Sequence, residues 1–139
     1  MNTNQRFAIS IHALTLLAAN EKPLTSEAIA SSVDTNPVVI RRTMASLREY
    51  GLVKSKSGAH GGWRLLREPK QIVLRDIYRS LSEEDILLIH GHPNKYCPIG
   101  GKITGVLRAV FSDAQSEMEN ALGKYTVADV LAGVRKVKI

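Results

Sequence analysis

The sequence predicts a mainly α-helical fold with one small β-hairpin and a long C-terminal helix. Three observations predict it. Apolar residues recur at helical spacing along most of the 139 residues. One stretch, Leu52 to Arg67, instead alternates apolar and basic residues on either side of a glycine-rich turn. Finally, Lys102 to Leu122 keeps a helical apolar stripe for about 21 residues, roughly 30 Å of helix. The length suits one compact domain plus an added helical element. The expected division is a helix-and-hairpin domain over 1–81, a linker over 82–101, and a long helix with a short terminal helix over 102–139.

The first helix is expected from Asn4 to Ala19, with Phe7, Ile11, Leu14 and Ala18 at helical spacing and Ile9, Leu16 and Leu17 widening a well-buried face. "NEKP" breaks it. Thr25 then suits an N-cap for a short helix from Ser26 to Ser32 that buries Ala28 and Ile29. After the tight "VDTN", Asn36 and Pro37 set a capping side chain before a proline at the first helical position, where its missing N–H costs nothing. That helix carries Ile40, Met44 and Leu47 on an inner stripe, which leaves Val38, Arg41, Arg42, Ser46 and Arg48 facing outward or sideways. Gly51 ends it in the left-handed conformation glycine tolerates. Two short helices across a four-residue break, the second presenting arginines, form a helix-turn-helix pattern. A plain helical hairpin has the same apolar period, so the segment after Gly51 must decide between the two.

"LVKSK" and "WRLLR" read as half-buried strands, and "SGAHGG" between them is turn chemistry. A helix-turn-helix followed at once by a basic hairpin is the winged arrangement, in which a helix enters the major groove and the hairpin reaches the backbone or minor groove. Gly58, Gly61 and Gly62 suit a tip that phosphates approach closely, and equally suit any tight hairpin. "IVLRDIYRSL" adds a short helix with Val73, Ile77 and Leu81 on one stripe. Glu83, Glu84 and Asp85 read as a solvated linker rather than a paired-carboxylate site. The long helix carries Ile103, Val106, Leu107, Val110, Ala114, Met118 and Leu122, a stripe too long for the small domain to cover. Burying it against the same helix of a second chain predicts a homodimer. Thr126 with Asp129 opens the terminal helix through a capping box.

The net charge of +6 is concentrated. Residues 36–75 hold nine basic side chains against Glu49 and Glu68, a net of +7, so the remainder is slightly acidic. A polyanion facing one segment accounts for that split, and nucleic acid is the commonest. No apolar stretch approaches the roughly 20 residues of a membrane span, and Asn2, Asn4, Gln5 and Arg6 do not open a secretory signal. The expectation is a cytoplasmic protein without membrane contact. A nucleophile elbow, a phosphate-binding loop and a zinc-protease signature are all missing, which argues against an enzyme.

The segments "TSEAIASSVDTNPVVIRRTMASLREYGLV", "GAHGGWRL", "IVLRDIYRSL", the lone "CP" and "KYTVADVL" together resemble the Rrf2 family of bacterial transcription regulators. The resemblance covers almost the whole chain, in order. It implies a dimeric winged-helix repressor of double-stranded DNA with a pseudo-palindromic operator. It also implies that the helix from Pro37 to Tyr50 is the recognition helix and that residues 57–64 form the wing tip, with His60 and Gly61 in it. Since Ile40 and Met44 face inward, Val38, Arg41 and Arg42 are expected nearest the base edges, beside Asn36 at the helix start. Arg48, Lys54, Lys56 and Arg64 are expected on phosphates.

One departure bears on mechanism. Several family members hold an iron-sulfur cluster on three cysteines in the loop before the long helix; here that loop has Cys97 alone, with His90 and His92 upstream. One thiolate is a poor cluster set, and a zinc site on the same three residues lacks a fourth ligand, so no cofactor and no metal is expected. A single cysteine also excludes an internal disulfide and fits a reducing compartment. Cys97 at the start of a helix, near Lys95 and Lys102, is instead a candidate redox-sensing thiol, open to sulfenic acid, to a mixed disulfide with a small thiol, or to a link between subunits. A small packed cysteine, control by an effector protein or metabolite, an iron-sulfur-dependent regulator with a cluster shared between two protomers, and RNA in place of DNA are the alternatives left open.

Overall fold

The computed structural model describes residues 3–81 and 87–137. Glu83, Glu84 and Asp85 therefore lie outside the described residues. In chain order the elements are α1 (Thr3–Ala19), α2 (Ser26–Val33), α3 (Pro37–Glu49), β1 (Val53–Lys56), β2 (Gly62–Leu65), a 3-10 turn (Pro69–Gln71), α4 (Leu74–Leu81), α5 (Ile103–Leu122) and α6 (Val127–Lys136). The expected mainly helical architecture with one hairpin is what forms.

Local capping sets most of the boundaries. Thr25 Oγ1 accepts from the Ala28 N–H at 3.1 Å, and Asp34 in the left-handed region closes α2. Thr126 Oγ1 accepts from the Asp129 N–H at 3.1 Å while Asp129 Oδ2 accepts from the Thr126 N–H at 2.8 Å, the reciprocal box expected from the sequence. These contacts satisfy N–H groups that a helix start would otherwise leave without acceptors.

A single core joins α1, α2, α3, the hairpin, α4 and α6 through Leu14, Ile29, Ile40, Met44, Leu52, Ile77 and Val127, among others. Three expectations need correction. On α1 the buried line runs through Ser10, Ala13, Leu14 and Leu17, whereas Phe7, Ile11 and Ala18 are half-buried. The inward side of so apolar a helix is set by what packs against it, and the half-buried Phe7 ring meets Tyr78 of α4 edge-on with 5.5 Å between centroids. On α2, Ala28 is exposed and Ala30 takes the core position, because Ile29 and Ser26 fix the inward face. On α4, Leu74 and Tyr78 join Ile77 and Leu81, and Val73 stays outside the helix, forming a bridge to Thr126.

The hairpin is locked to the body. Leu24 and Trp63 exchange backbone hydrogen bonds of 3.2 and 2.8 Å, and the Trp63 indole N–H donates to Ser26 Oγ at 3.0 Å. α5 differs from every other helix in having no buried residue. Its C-terminal half is tied to α4 by Arg79 to Glu119 (2.8 Å) and by Gln115 to the Tyr78 hydroxyl (3.0 Å). Farther toward its N-terminus, Val106 and Val110 are 62% and 54% exposed.

Candidate nucleic-acid interface

Asn36 accepts the Val38 N–H at 2.8 Å through Oδ1 and Pro37 follows, so α3 begins where the sequence places it. Its buried residues are Ile40, Thr43, Met44 and Leu47. Opposite them Val38 is half exposed, and Arg41 and Arg42 stand in solvent. Both arginines therefore occupy the outward face of the N-terminal half, as the periodicity requires. Gly51, at φ 82°, turns the chain from α3 into β1.

In the hairpin register, Val53 pairs with Leu65, Lys54 with Arg64, Ser55 with Trp63 and Lys56 with Gly62. Alternation sends Val53 and Trp63 into the core and leaves Lys54, Lys56 and Arg64 on the outer face. Lys54 directly opposite Arg64 is a like-charge cross-strand pair, which is unfavourable in isolation. Among the described residues no carboxylate forms an ion pair with any of the three. With Lys22, His60 and Gly61 they line an open groove of about 880 Å³. An anion of extended shape lying in it would relieve the repulsion.

Gly62 places the wing against the body. Its φ is 131°, and a Cβ there would sit 2.7 Å from the Leu24 carbonyl oxygen. Arg48 is held apart from the outer row. Its guanidinium lies 5.4 Å from the Trp63 ring centroid and donates to Ser55 Oγ at 3.0 Å, bracing α3 to the hairpin. Sequence reasoning missed Lys22 and Glu27. Lys22 sits in the break after α1, far from the motif in sequence, and Glu27 pairs with Arg41 across two helices. No local pattern signals either contact.

In the loop before α5, Cys97 is exposed, and its thiol is held below the ordinary range by the backbone N–H groups of Gly100 and then Ile99. The Lys95 ammonium lies 5.3 Å from the Tyr96 ring centroid. Among the described residues no three His, Cys, Asp or Glu side chains gather as a metal would need, and His90 and His92 are exposed. Nor is any described helix long and apolar enough to cross a membrane.

A profile of the Rrf2 family, described as an iron-dependent transcriptional regulator, matches residues 3–133. YwnA of Bacillus subtilis (strain 168), by name an HTH-type transcriptional regulator, is 39% identical over 129 residues, which span 92% of this chain and 96% of YwnA. A crystal structure described as that of a DNA binding protein superposes with a TM-score of 0.75 at 36% identity, covering 91% of this chain and 98% of its own. T. potens IscR superposes with a TM-score of 0.72 at 25% identity, over 100% of this chain and 93% of IscR. These relatives are regulators rather than enzymes, and the exposed arginines of α3 beside a basic wing agree with them. The chain belongs to the Rrf2 family of winged-helix, DNA-binding transcriptional regulators.

Proposed function

We propose that this chain acts as a homodimer, reading a pseudo-palindromic operator in double-stranded DNA and repressing transcription from it. Val38, Arg41 and Arg42 face the base edges, with Asn36 fixing the start of the helix that carries them. Lys54, Lys56, His60, Gly61 and Arg64 follow the phosphate backbone, and Lys22 joins them. Arg48 supports the wing from behind. The observation that carries the reading is the outer face of the hairpin, where Lys54 and Arg64 stand opposite each other with no carboxylate ion-paired to either among the described residues. Arginine on guanine is the commonest specific contact, which suits the α3 pair. Repression is carried over from the family resemblance.

The stripe of Ile103, Val106, Leu107, Val110, Ala114 and Met118 supports the dimer: none of it is buried, Val106, Val110 and Ala114 are exposed, Ile103, Leu107 and Met118 are half-buried, and a second copy of α5 would remove the rest from water. The family profile is described as iron-dependent, but this loop does not fit a cluster held by one chain: it offers one thiolate and two exposed histidines. Control is assigned instead to Cys97, exposed and shifted toward thiolate. A peroxide would transfer one oxygen to the thiolate, giving a sulfenic acid and releasing hydroxide, and a small thiol would then condense with it to a mixed disulfide and water.

The test is enrichment of duplexes from a random-sequence DNA library by the purified protein, with structured RNA as competitor. A motif with two half-sites about one helical turn apart is expected, and RNA should not displace it. No enriched motif, or preference for RNA, contradicts the reading. Peroxide should release the enriched duplex from the wild-type protein and leave Cys97→Ser bound. Equal release from both would remove Cys97 from the mechanism and favour an effector protein or metabolite.

A further inference from the structure

Arg41 and Arg42 are adjacent and equally charged, but the fold treats them differently. Glu27, in the first turn of α2, forms an ion pair with the Arg41 guanidinium across the two helices of the helix-turn-helix. No ion pair joins Arg42 to a carboxylate among the described residues. We propose that Glu27 is a positioning residue that sets DNA specificity: it directs the Arg41 guanidinium toward a base edge and offsets its charge toward phosphate. This deepens the DNA-binding reading and rests on it.

Two features separate this role from a contribution to folding. The paired side chains are 52% and 63% exposed, and water and salt screen an ion pair in that setting. In addition, α2 is already fixed by its Thr25 cap, by Ser26 accepting from Trp63, and by Ile29 and Ala30 in the core. Glu27 does suit its own position, since a carboxylate near a helix N-terminus is favoured by the helix dipole. On a surface this basic, an acidic side chain beside the reading arginines weakens attraction to any phosphate. It therefore lowers affinity for all DNA and raises the share of binding that depends on base contacts.

The test compares wild type, Glu27→Gln, Arg41→Ala and the double variant. The probes are the duplex enriched by the wild-type protein and a scrambled duplex of the same composition, each titrated at several salt concentrations. Glu27→Gln is expected to bind the scrambled duplex more tightly and the enriched one no better, lowering the affinity ratio by about threefold or more. Its log–log salt dependence should steepen by about one as the Arg41 charge is released to phosphate. The unfolding midpoint should fall by no more than about 3 °C, the loss of a charge favoured at an exposed helix N-terminus. In the Arg41→Ala background, Glu27→Gln should leave the ratio unchanged. An unchanged ratio in Glu27→Gln alone overturns the proposal, as does an equal fall in both backgrounds, which would mean that Glu27 contacts DNA itself. If the wild-type protein enriches no duplex at all, the DNA-binding reading fails first and the inference falls with it.

Discussion

Gly62 and Gly58 both sit at positive φ in the wing, yet only one of them is pressed against other atoms. At Gly58 a methyl group meets nothing within 4 Å, so Gly58→Ala should cost only the backbone penalty, about 1 kcal/mol in urea unfolding. At Gly62 the same methyl collides with the Leu24 carbonyl oxygen, where the wing is bonded to the body. Gly62→Ala should therefore cost about 2–4 kcal/mol and weaken DNA binding as the hairpin is displaced. Equal, small costs at both positions would show that the Leu24–Trp63 bridge does not hold the wing. The sequence marks the glycines as turn residues, but it does not show that Gly62 abuts Leu24, because that partner lies in the break before α2. Cys97 carries a second prediction at this scale. Its thiol is held low by the Gly100 and Ile99 N–H groups, so native protein should reach half-maximal alkylation rate at lower pH than the urea-unfolded chain. Coincident profiles would show that the turn does not stabilise the thiolate.

Among the elements, caps and breaks were legible because they are local. Thr25, Asn36 and the Thr126–Asp129 box act within three residues of the helices they start. The buried faces of α1 and α2 were less so. Which side of a nearly all-apolar helix goes inward depends on what packs against it, and at α1 the choice fell on Ser10 and Ala13 rather than on Phe7 and Ile11. α5 is the opposite case: its stripe is plain in the sequence, and in a single chain none of it is buried. Val110→Asp would place a charge on that stripe, where a partner helix would strip it of water. Sedimentation should show a concentration-dependent dimer for wild type and a monomer for Val110→Asp, with affinity for the enriched duplex lost by about 100-fold or more as paired half-sites are no longer spanned. A Val110→Asp protein that stays dimeric would place the interface elsewhere.

For the whole molecule, the division of charge was the most informative property of the sequence, and the structure gives it a shape. Five of the nine basic side chains of the +7 segment form two surfaces, Arg41 and Arg42 on the outer face of α3 and Lys54, Lys56 and Arg64 on the outer face of the hairpin. The contributions of Lys22 and Glu27 were invisible beforehand because the loop and helix that carry them join the surface only on folding. Removing one phosphate contact without touching base readout, as Lys54→Ala should do, is expected to lower affinity for enriched and scrambled duplexes alike. The salt slope should become shallower by about one. The claim that α3 reads sequence is tested most directly by the Arg41→Ala, Arg42→Ala double variant titrated with the enriched and scrambled duplexes at fixed salt. The enriched duplex should lose about 10- to 100-fold more affinity than the scrambled one. Wild-type affinity for the enriched duplex in that variant would contradict the assignment of α3 as the reading helix.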